Sequence, residues 1–262
     1  MTPSPTYQSY LRLPELLNCQ TPLSEAHDEL LFISIHQASE IWLKLCLHEL
    51  REARRSIKAD ALSPALKMMA RVARIQAQMI QSWEVLATMT PADYTQMRGK
   101  LGTSSGFQSD QYRQLEFIMG AKKAHMIDFH EDPAVIAALR AELISPSLYD
   151  EALALLARRG LTVPADRLER DFTQPYEPSD GVEQAWRVVY DDPERYWDLY
   201  ELAEKLVDLE YHVQLWRYGH LKTVERVIGF KTGTGGTAGV GYLAKVLDNR
   251  FFPELLQVRV AL

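Results

Sequence analysis

Two histidines fall on apolar helix faces in widely separated parts of the chain. His220 lies on a stripe of apolar residues that recurs at helical spacing from Leu206 to Val227, and His36 follows Phe32 by one turn in a second stripe. Imidazole is a common ligand of metal ions and of haem iron. A lone histidine on an apolar face is more commonly a hydrogen-bonded core residue, and this alternative stays open for each helix taken alone.

Tyr94 and Arg98 form another pair with chemical potential, because residues four apart share a helix face. A guanidinium beside a phenol suits the recognition of a carboxylate, although a surface salt bridge would also place an arginine there. Six of the thirteen glycines lie between Gly229 and Gly241, directly after the stripe that carries His220. A flexible loop at this point is the expected form for a substrate lid.

The common sequence motifs of cofactor and metal sites do not account for the two histidines, the Tyr94–Arg98 pair and the glycine-rich segment. Residues 233–238 match the GxGxxA dinucleotide fingerprint, but a helical pattern precedes them where that fingerprint requires a strand. A P-loop, HExxH and the ExxH spacing of di-metal bundles are all absent. Haem is the cofactor that two apolar-face histidines could hold, with one imidazole axial and the other on the open side. The spacing does not name a substrate.

Composition narrows the class of protein. The chain has 262 residues, is 47% hydrophobic, and carries a net charge of −6 without a basic run. These properties argue against nucleic acid or an anionic membrane as the main partner. No apolar run reaches the roughly 20 residues of a membrane span, and the N-terminus lacks a signal-peptide pattern. With only two cysteines, a cytoplasmic location is predicted.

The elements that must position these groups are helical throughout. No segment alternates like a strand, so the sequence predicts one all-α domain over 1–262, a bundle of long helices with haem between them. Asp192 is predicted to cap the helix that carries His220, with Pro193 in its first turn. Residues 1–23 form an arm, and about 132–180 form a helical excursion. The other helices are predicted at 24–59, from Ser63–Pro64 on, 90–102, up to Gly120, and at 132–143, 147–159 and 181–190.

Three stretches resemble one family. HDELLFISIHQASEIWLKL at 27–45, SSGFQSDQYR at 104–113 and RVIGFKTGTGGTAGVGYL at 226–243 are similar to segments of tryptophan 2,3-dioxygenase. The similarity runs from Tyr7 to FFPELL at 251–256. This resemblance implies an all-α homotetramer, a dimer of dimers, that binds haem b. It implies insertion of O2 across the indole C2–C3 bond of L-tryptophan to give N-formyl-L-kynurenine, the first step of the kynurenine route.

The resemblance also implies roles for single residues. His220 matches the axial haem ligand, and His36 the distal histidine that accepts a hydrogen bond from the indole N–H. Arg98, helped by Tyr94, matches the group that pairs with the substrate carboxylate, and Thr234 the loop residue at its ammonium end. The remaining matches are Phe32, Ile33, Ser34 and Ile35 against the substrate, Trp83, Ser105, Gly106 and Arg113 on the haem side, and Tyr7, Tyr10 and Leu11 in an arm that completes the neighbouring subunit's pocket.

The chain departs from the family pattern at a few positions. Gly219 stands where a larger residue is usual, Ala38 where a hydroxyl residue is usual, and Thr237–Ala238 where two serines are usual. These changes leave open a relative that oxygenates a substituted tryptophan, including one that adds a single oxygen to form an oxindole. A haem sensor and a non-enzymatic helical scaffold are the other classes that the residues allow.

Overall fold

The fold is all-α, as the sequence predicts. The structure, a computed structural model, describes residues 4–231 and 239–260, and within them it contains helices and turns but no strand. The helices are α1 Tyr7–Leu11, α2 Leu13–Leu16, α3 Glu29–Lys58, α4 Leu62–Leu86, α5 Pro91–Arg98, α6 Asp110–Met119, α7 Pro133–Ile144, α8 Leu148–Arg158, α9 Ala165–Leu168, α10 Asp180–Asp191, α11 Trp197–Ile228, α12 Val240–Val246 and α13 Pro253–Gln257, with 3-10 turns at Gly106–Gln108, Ala124–Phe129 and Val258–Val260.

The three longest helices form the centre of the molecule. Helix α4 packs against α3 on one side and against α11 on the other. Fully buried side chains such as Leu50 of α3, Met69 of α4 and Leu206 of α11 meet between them. Close packing of this kind fixes the relative positions of long helices. The bundle therefore holds the histidine-bearing faces of α3 and α11 in a set arrangement.

Helix α3 is the described helix that is long and apolar enough to cross a membrane by length and composition. Here its second half packs into the protein core, with Leu43, Cys46, Leu47 and Leu50 buried. These four residues serve the contact with α4 and the neighbouring helices.

The predicted start of the long C-terminal helix is wrong by several residues. Asp192 ends α10, and α11 begins at Trp197. The Asp192 carboxylate accepts a hydrogen bond from the Arg195 backbone N–H at 3.2 Å, which closes a separate turn over 193–196. An Asp-Pro pair is typical of such a turn as well as of a helix start, so the two could not be separated by residue type.

The helical excursion at about 132–180 is packed into the main core. Nearly all of α8 is buried, and Tyr149 in it donates a hydrogen bond to Glu254 of α13 at 2.9 Å. Trp186 of α10 donates to the same phenol oxygen at 3.0 Å. At the start of the excursion, the ammonium of buried Lys122 donates to three carbonyls at the end of α7. These contacts join α8 to α10 and α13, and the end of α7 to Lys122.

Candidate active site

A cavity of about 560 Å³ lies between α3, α4, α5, α11 and the segment 101–117. Its volume falls in the roughly 300–1,000 Å³ range of cofactor and ligand sites. Most of its wall is apolar or aromatic, and a group of charged side chains lines one part of it. The lining includes Phe32, His36, Glu40, Trp83, Tyr94, Ser105, Gly106, Tyr112, Arg113, Glu116, Lys123, Trp216, Arg217, His220 and Tyr242.

His220 reaches the cavity from α11 and contacts two tryptophans, which also contact each other. The Trp83 indole lies nearly parallel to the imidazole, with ring centroids 4.8 Å apart and an interplanar angle of 14°. The Trp216 ring also contacts the imidazole, with ring centroids 5.7 Å apart. Burial, together with a smaller effect of the nearby His36, lowers the pKa of His220 to about 4. The imidazole is therefore neutral at physiological pH, which is the form that binds a metal.

His36 lies in the same cavity on α3, and its tautomer follows from its hydrogen bond. Its Nδ1 is 2.7 Å from the carbonyl oxygen of Phe32. A carbonyl oxygen only accepts, so Nδ1 must carry the proton. Desolvation lowers the pKa of His36, which keeps the ring neutral. Nε2 is therefore left with a lone pair that can accept a hydrogen bond from a ligand in the cavity.

Phe32 and Tyr94 form an aromatic part of the cavity wall next to the His36 ring. The Phe32 ring centroid is 4.2 Å from the His36 ring and 6.5 Å from the Tyr94 ring. Burial raises the pKa of Tyr94, while the positive charge of Arg98 acts in the opposite direction. The phenol thus stays protonated as a donor, and the guanidinium of Arg98 lies close enough to act on it. Of the pair that the i,i+4 spacing predicted, Tyr94 lines the cavity and Arg98 does not.

A buried ion-pair cluster forms another part of the wall. Glu116 accepts hydrogen bonds from Arg113 through a short contact and from Arg217 Nη2 at 2.8 Å. Arg217 Nε also donates to the Tyr112 hydroxyl at 3.1 Å, and burial raises the pKa of that phenol to about 12. Lys123 lines the cavity beside them. Arg113, Arg217 and Lys123 thus lie near one carboxylate, while Glu40 and Asp110 also line the cavity. The guanidinium of Arg113 is a group that suits an anionic ligand.

Three buried N–H groups at the cavity wall have no hydrogen-bond partner within the described residues: Nε1 of Trp83, Nε1 of Trp216 and Nε of Arg113. Buried donors are almost always paired in folded proteins, so unpaired ones indicate a missing ligand or water. Across 4–231 and 239–260, no group of three or more acidic, histidine or cysteine side chains could hold a bare metal ion. A buried neutral imidazole, a large aromatic cavity and a guanidinium at its wall are the groups that a haem site requires.

The structure brings together most of the predicted haem-side residues. Ser105 and Gly106 line the cavity, where the Ser105 side chain accepts from the Phe107 backbone N–H at 3.3 Å and opens the 3-10 turn. Ile33, Ser34, Ile35 and Arg98 do not line it, although Ile35 packs in the cluster beneath it. Thr234 lies outside the described residues. The arm residues Tyr7, Tyr10 and Leu11 are exposed on α1 and do not line the cavity of their own chain.

Several lining residues were not predicted from the sequence. Trp216 precedes His220 by one helical turn, so helix periodicity alone could have placed it beside the imidazole. Glu116 follows Arg113 by three positions, which is an ordinary helical ion-pair spacing and carries no functional signal. Arg217 reaches Glu116 only because α11 and α6 meet in the fold. This contact depends on tertiary packing and has no sequence signature.

Comparison with known proteins identifies the family. A family model described as tryptophan 2,3-dioxygenase matches residues 2–136 and 187–262 and leaves out most of the helical excursion. Relatives named tryptophan 2,3-dioxygenase include one from Erythrobacter litoralis, 60% identical over 98% of both chains. Another from Caulobacter vibrioides is 57% identical over 98% of both, and one from a Polaromonas species is 57% identical over 98% of this chain and 88% of its own length. The chain therefore belongs to the tryptophan 2,3-dioxygenase family.

Proposed function

We propose that this chain is a haem-dependent dioxygenase that inserts both atoms of O2 across the indole C2–C3 bond of L-tryptophan. The product is N-formyl-L-kynurenine, and the reaction opens tryptophan breakdown by the kynurenine route. The observation that carries the proposal is that two neutral imidazoles from different helices face one cavity, one in contact with two indoles and the other with a free acceptor nitrogen. Family membership supplies the reaction class.

The cofactor in this proposal is haem b in its ferrous state, with O2 as the second substrate. His220 would hold the iron, Arg113 would face a propionate, and Trp83, Ser105 and Gly106 would border the ring. When bound, ferrous haem supplies the chemistry that activates O2. The protein's own part is to position the indole and to exclude water from the cavity.

His36 gives the substrate its orientation. Its Nε2 lone pair accepts a hydrogen bond from the indole N–H, because Nδ1 is committed to the Phe32 carbonyl. Phe32 lies against the indole plane, as its position 4.2 Å from the imidazole allows. The protonated Tyr94 phenol and the Arg98 guanidinium bind the carboxylate of the amino acid, and Thr234 contacts its ammonium end.

The proposal also includes the oligomeric state of the protein and its cellular location. The arm carries exposed aromatic side chains, with Tyr7 at 75% and Tyr10 at 76% exposure. Large exposed aromatics on a short helix are typical of a surface that a partner covers. We therefore propose a homotetramer in which Tyr7, Tyr10 and Leu11 complete the pocket of a neighbouring subunit, in a cytoplasmic enzyme.

The decisive experiment is the mass of the product. The protein is loaded with haem, reduced, and given L-tryptophan and O2. Addition of two oxygen atoms with opening of the ring supports the dioxygenase. Addition of one oxygen atom would replace it with an oxindole-forming relative. A haem-loaded protein that gives no product from tryptophan or its ring-substituted analogues would replace it with a haem sensor.

The role of His36 has its own test. His36→Ala should keep haem and lower kcat/KM for L-tryptophan about tenfold, the usual effect of one lost hydrogen bond to a buried donor. A tryptophan methylated at the indole nitrogen has no N–H to donate. Wild type and His36→Ala should therefore use that analogue equally well. A tenfold difference that persists with the methylated substrate would contradict the hydrogen bond.

A further inference from the structure

Gly219 occupies an unusual place for a glycine. It lies well inside α11 and directly precedes His220, where glycine is less favourable than any residue except proline. Its backbone does not adopt the left-handed conformation, which other positions of the described chain do adopt. Neither a turn nor a helix end explains it, so the reason must lie in what packs against it.

The packing partner is the indole of Trp83. A Cβ built on Gly219 would lie 2.7 Å from Trp83 Cδ1 and 3.4 Å from its Cγ. Side chains do not tolerate the first of these distances, so either the indole or the helix would have to move. Trp83 has little freedom to do so, because it is only 8% exposed and its ring contacts Trp216 with centroids 5.3 Å apart.

The position of this indole determines the surroundings of His220. Trp83 stacks on the imidazole at 4.8 Å and 14°, and the missing side chain at Gly219 is what lets the two rings lie face to face. A ring held against such a face has little freedom to rotate about its χ2 angle. The plane of the imidazole is therefore fixed by Trp83, and the place of Trp83 is fixed by Gly219.

We propose that Gly219 is a positioning residue for the proximal side of the site. By having no side chain it admits the Trp83 indole onto His220 and sets the plane in which the imidazole meets the haem iron. The proposal rests on the proposed function, because it takes His220 as the axial ligand. It adds a determinant that acts through Trp83 and touches neither substrate nor cofactor.

The test adds one methyl group with Gly219→Ala. Gly99→Ala is the matched control, since a Cβ at Gly99 meets no described atom within 4 Å and the backbone there is ordinary, with φ −64°. The near-ultraviolet circular dichroism of the haem-free protein reports the Trp83–Trp216 pair directly. In the haem-loaded ferrous protein, the iron–imidazole stretching band in the resonance Raman spectrum reports the proximal ligand.

Gly219→Ala should change the dichroism of the haem-free protein, shift the stretching band, and weaken haem binding about tenfold, the scale of overpacking a filled site. Gly99→Ala should change none of these. In a Trp83→Ala background, adding Gly219→Ala should have no further effect, because the residue through which it acts is gone.

An unchanged stretching band and haem affinity in Gly219→Ala would overturn the proposal. Equal effects of Gly219→Ala with and without Trp83 would overturn it too, since they would locate the effect in the helix backbone. Failure of the proposed function looks different. In that case the wild-type protein itself would not bind haem through His220 or would not oxygenate tryptophan, whatever residue stands at 219.

Discussion

Glu116→Gln tests whether the buried ion-pair cluster holds the charged wall of the cavity together. The Glu116 carboxylate accepts from Arg113 and, at 2.8 Å, from Arg217, and all three side chains are less than a tenth exposed. Glutamine keeps the shape but loses the charge, so two buried guanidiniums are left without a compensating carboxylate. Removing one partner of a buried pair costs about 3–5 kcal/mol. Because the amide oxygen still accepts one hydrogen bond, we expect a loss near the lower end, about 3 kcal/mol.

The assay is thermal unfolding of the haem-free protein, followed by far-ultraviolet circular dichroism. For a chain of this size, about 3 kcal/mol corresponds to a fall in Tm of roughly 6–12 °C. Glu225→Gln is the control, because it breaks an ion pair with the exposed Lys222 that contributes little to stability. A Glu116→Gln protein that unfolds within a degree or two of the control would refute the reasoning. It would show that the cluster is solvated enough for the charge not to matter.

Three further changes probe other parts of the account. Lys122→Met removes the donor that three carbonyls share, so we expect the free energy of unfolding to fall by about 3 kcal/mol. Exposed Lys67→Met should leave the free energy of unfolding unchanged. Equal stability of the two variants would contradict the role of Lys122 at the end of α7. Burial raises the pKa of Glu210 above the ordinary value of 4.5. Above about pH 4.5 the folded chain therefore binds more protons than the unfolded chain. As a result, the contribution of this carboxyl to the free energy of unfolding is lost as pH rises through the folded pKa. Glu210→Gln keeps an acceptor for the Phe251 and Phe252 N–H groups and should flatten that pH dependence; an unchanged slope would contradict the raised pKa. Tyr94→Phe should raise KM for L-tryptophan without loss of haem, and an unchanged KM would exclude the phenol from substrate binding.

Local patterns were enough to predict the fold class and the histidines. Helical spacing placed His36 and His220 on apolar faces, and the structure confirms an all-α bundle in which both side chains line one cavity. Helix ends with a clear chemical signal were also placed well. Thr90 caps α5 by accepting from the Asp93 N–H, and Gly120 ends α6 in the left-handed conformation.

Contacts between residues that lie far apart in the sequence could not be predicted. The link from Arg217 to Glu116 and the stack of Trp83 on His220 join residues about a hundred or more positions apart, and no spacing rule connects them. Asp192 was misplaced because its residue type fits both a helix cap and a turn. Gly219 was noted only as a departure from a family pattern, and its physical reason required the position of the Trp83 ring.

The most direct test of the central claim is the haem content of two matched variants, His220→Ala and His36→Ala, measured by absorbance after loading with haem. We expect His220→Ala to lose stable haem binding, because its imidazole is the proposed ligand of the iron. We expect His36→Ala to keep haem at the wild-type ratio, because the proposed role of His36 is to accept a hydrogen bond from the substrate. A His220→Ala protein with an unchanged haem spectrum would contradict the axial role of His220 and with it the assignment of the site.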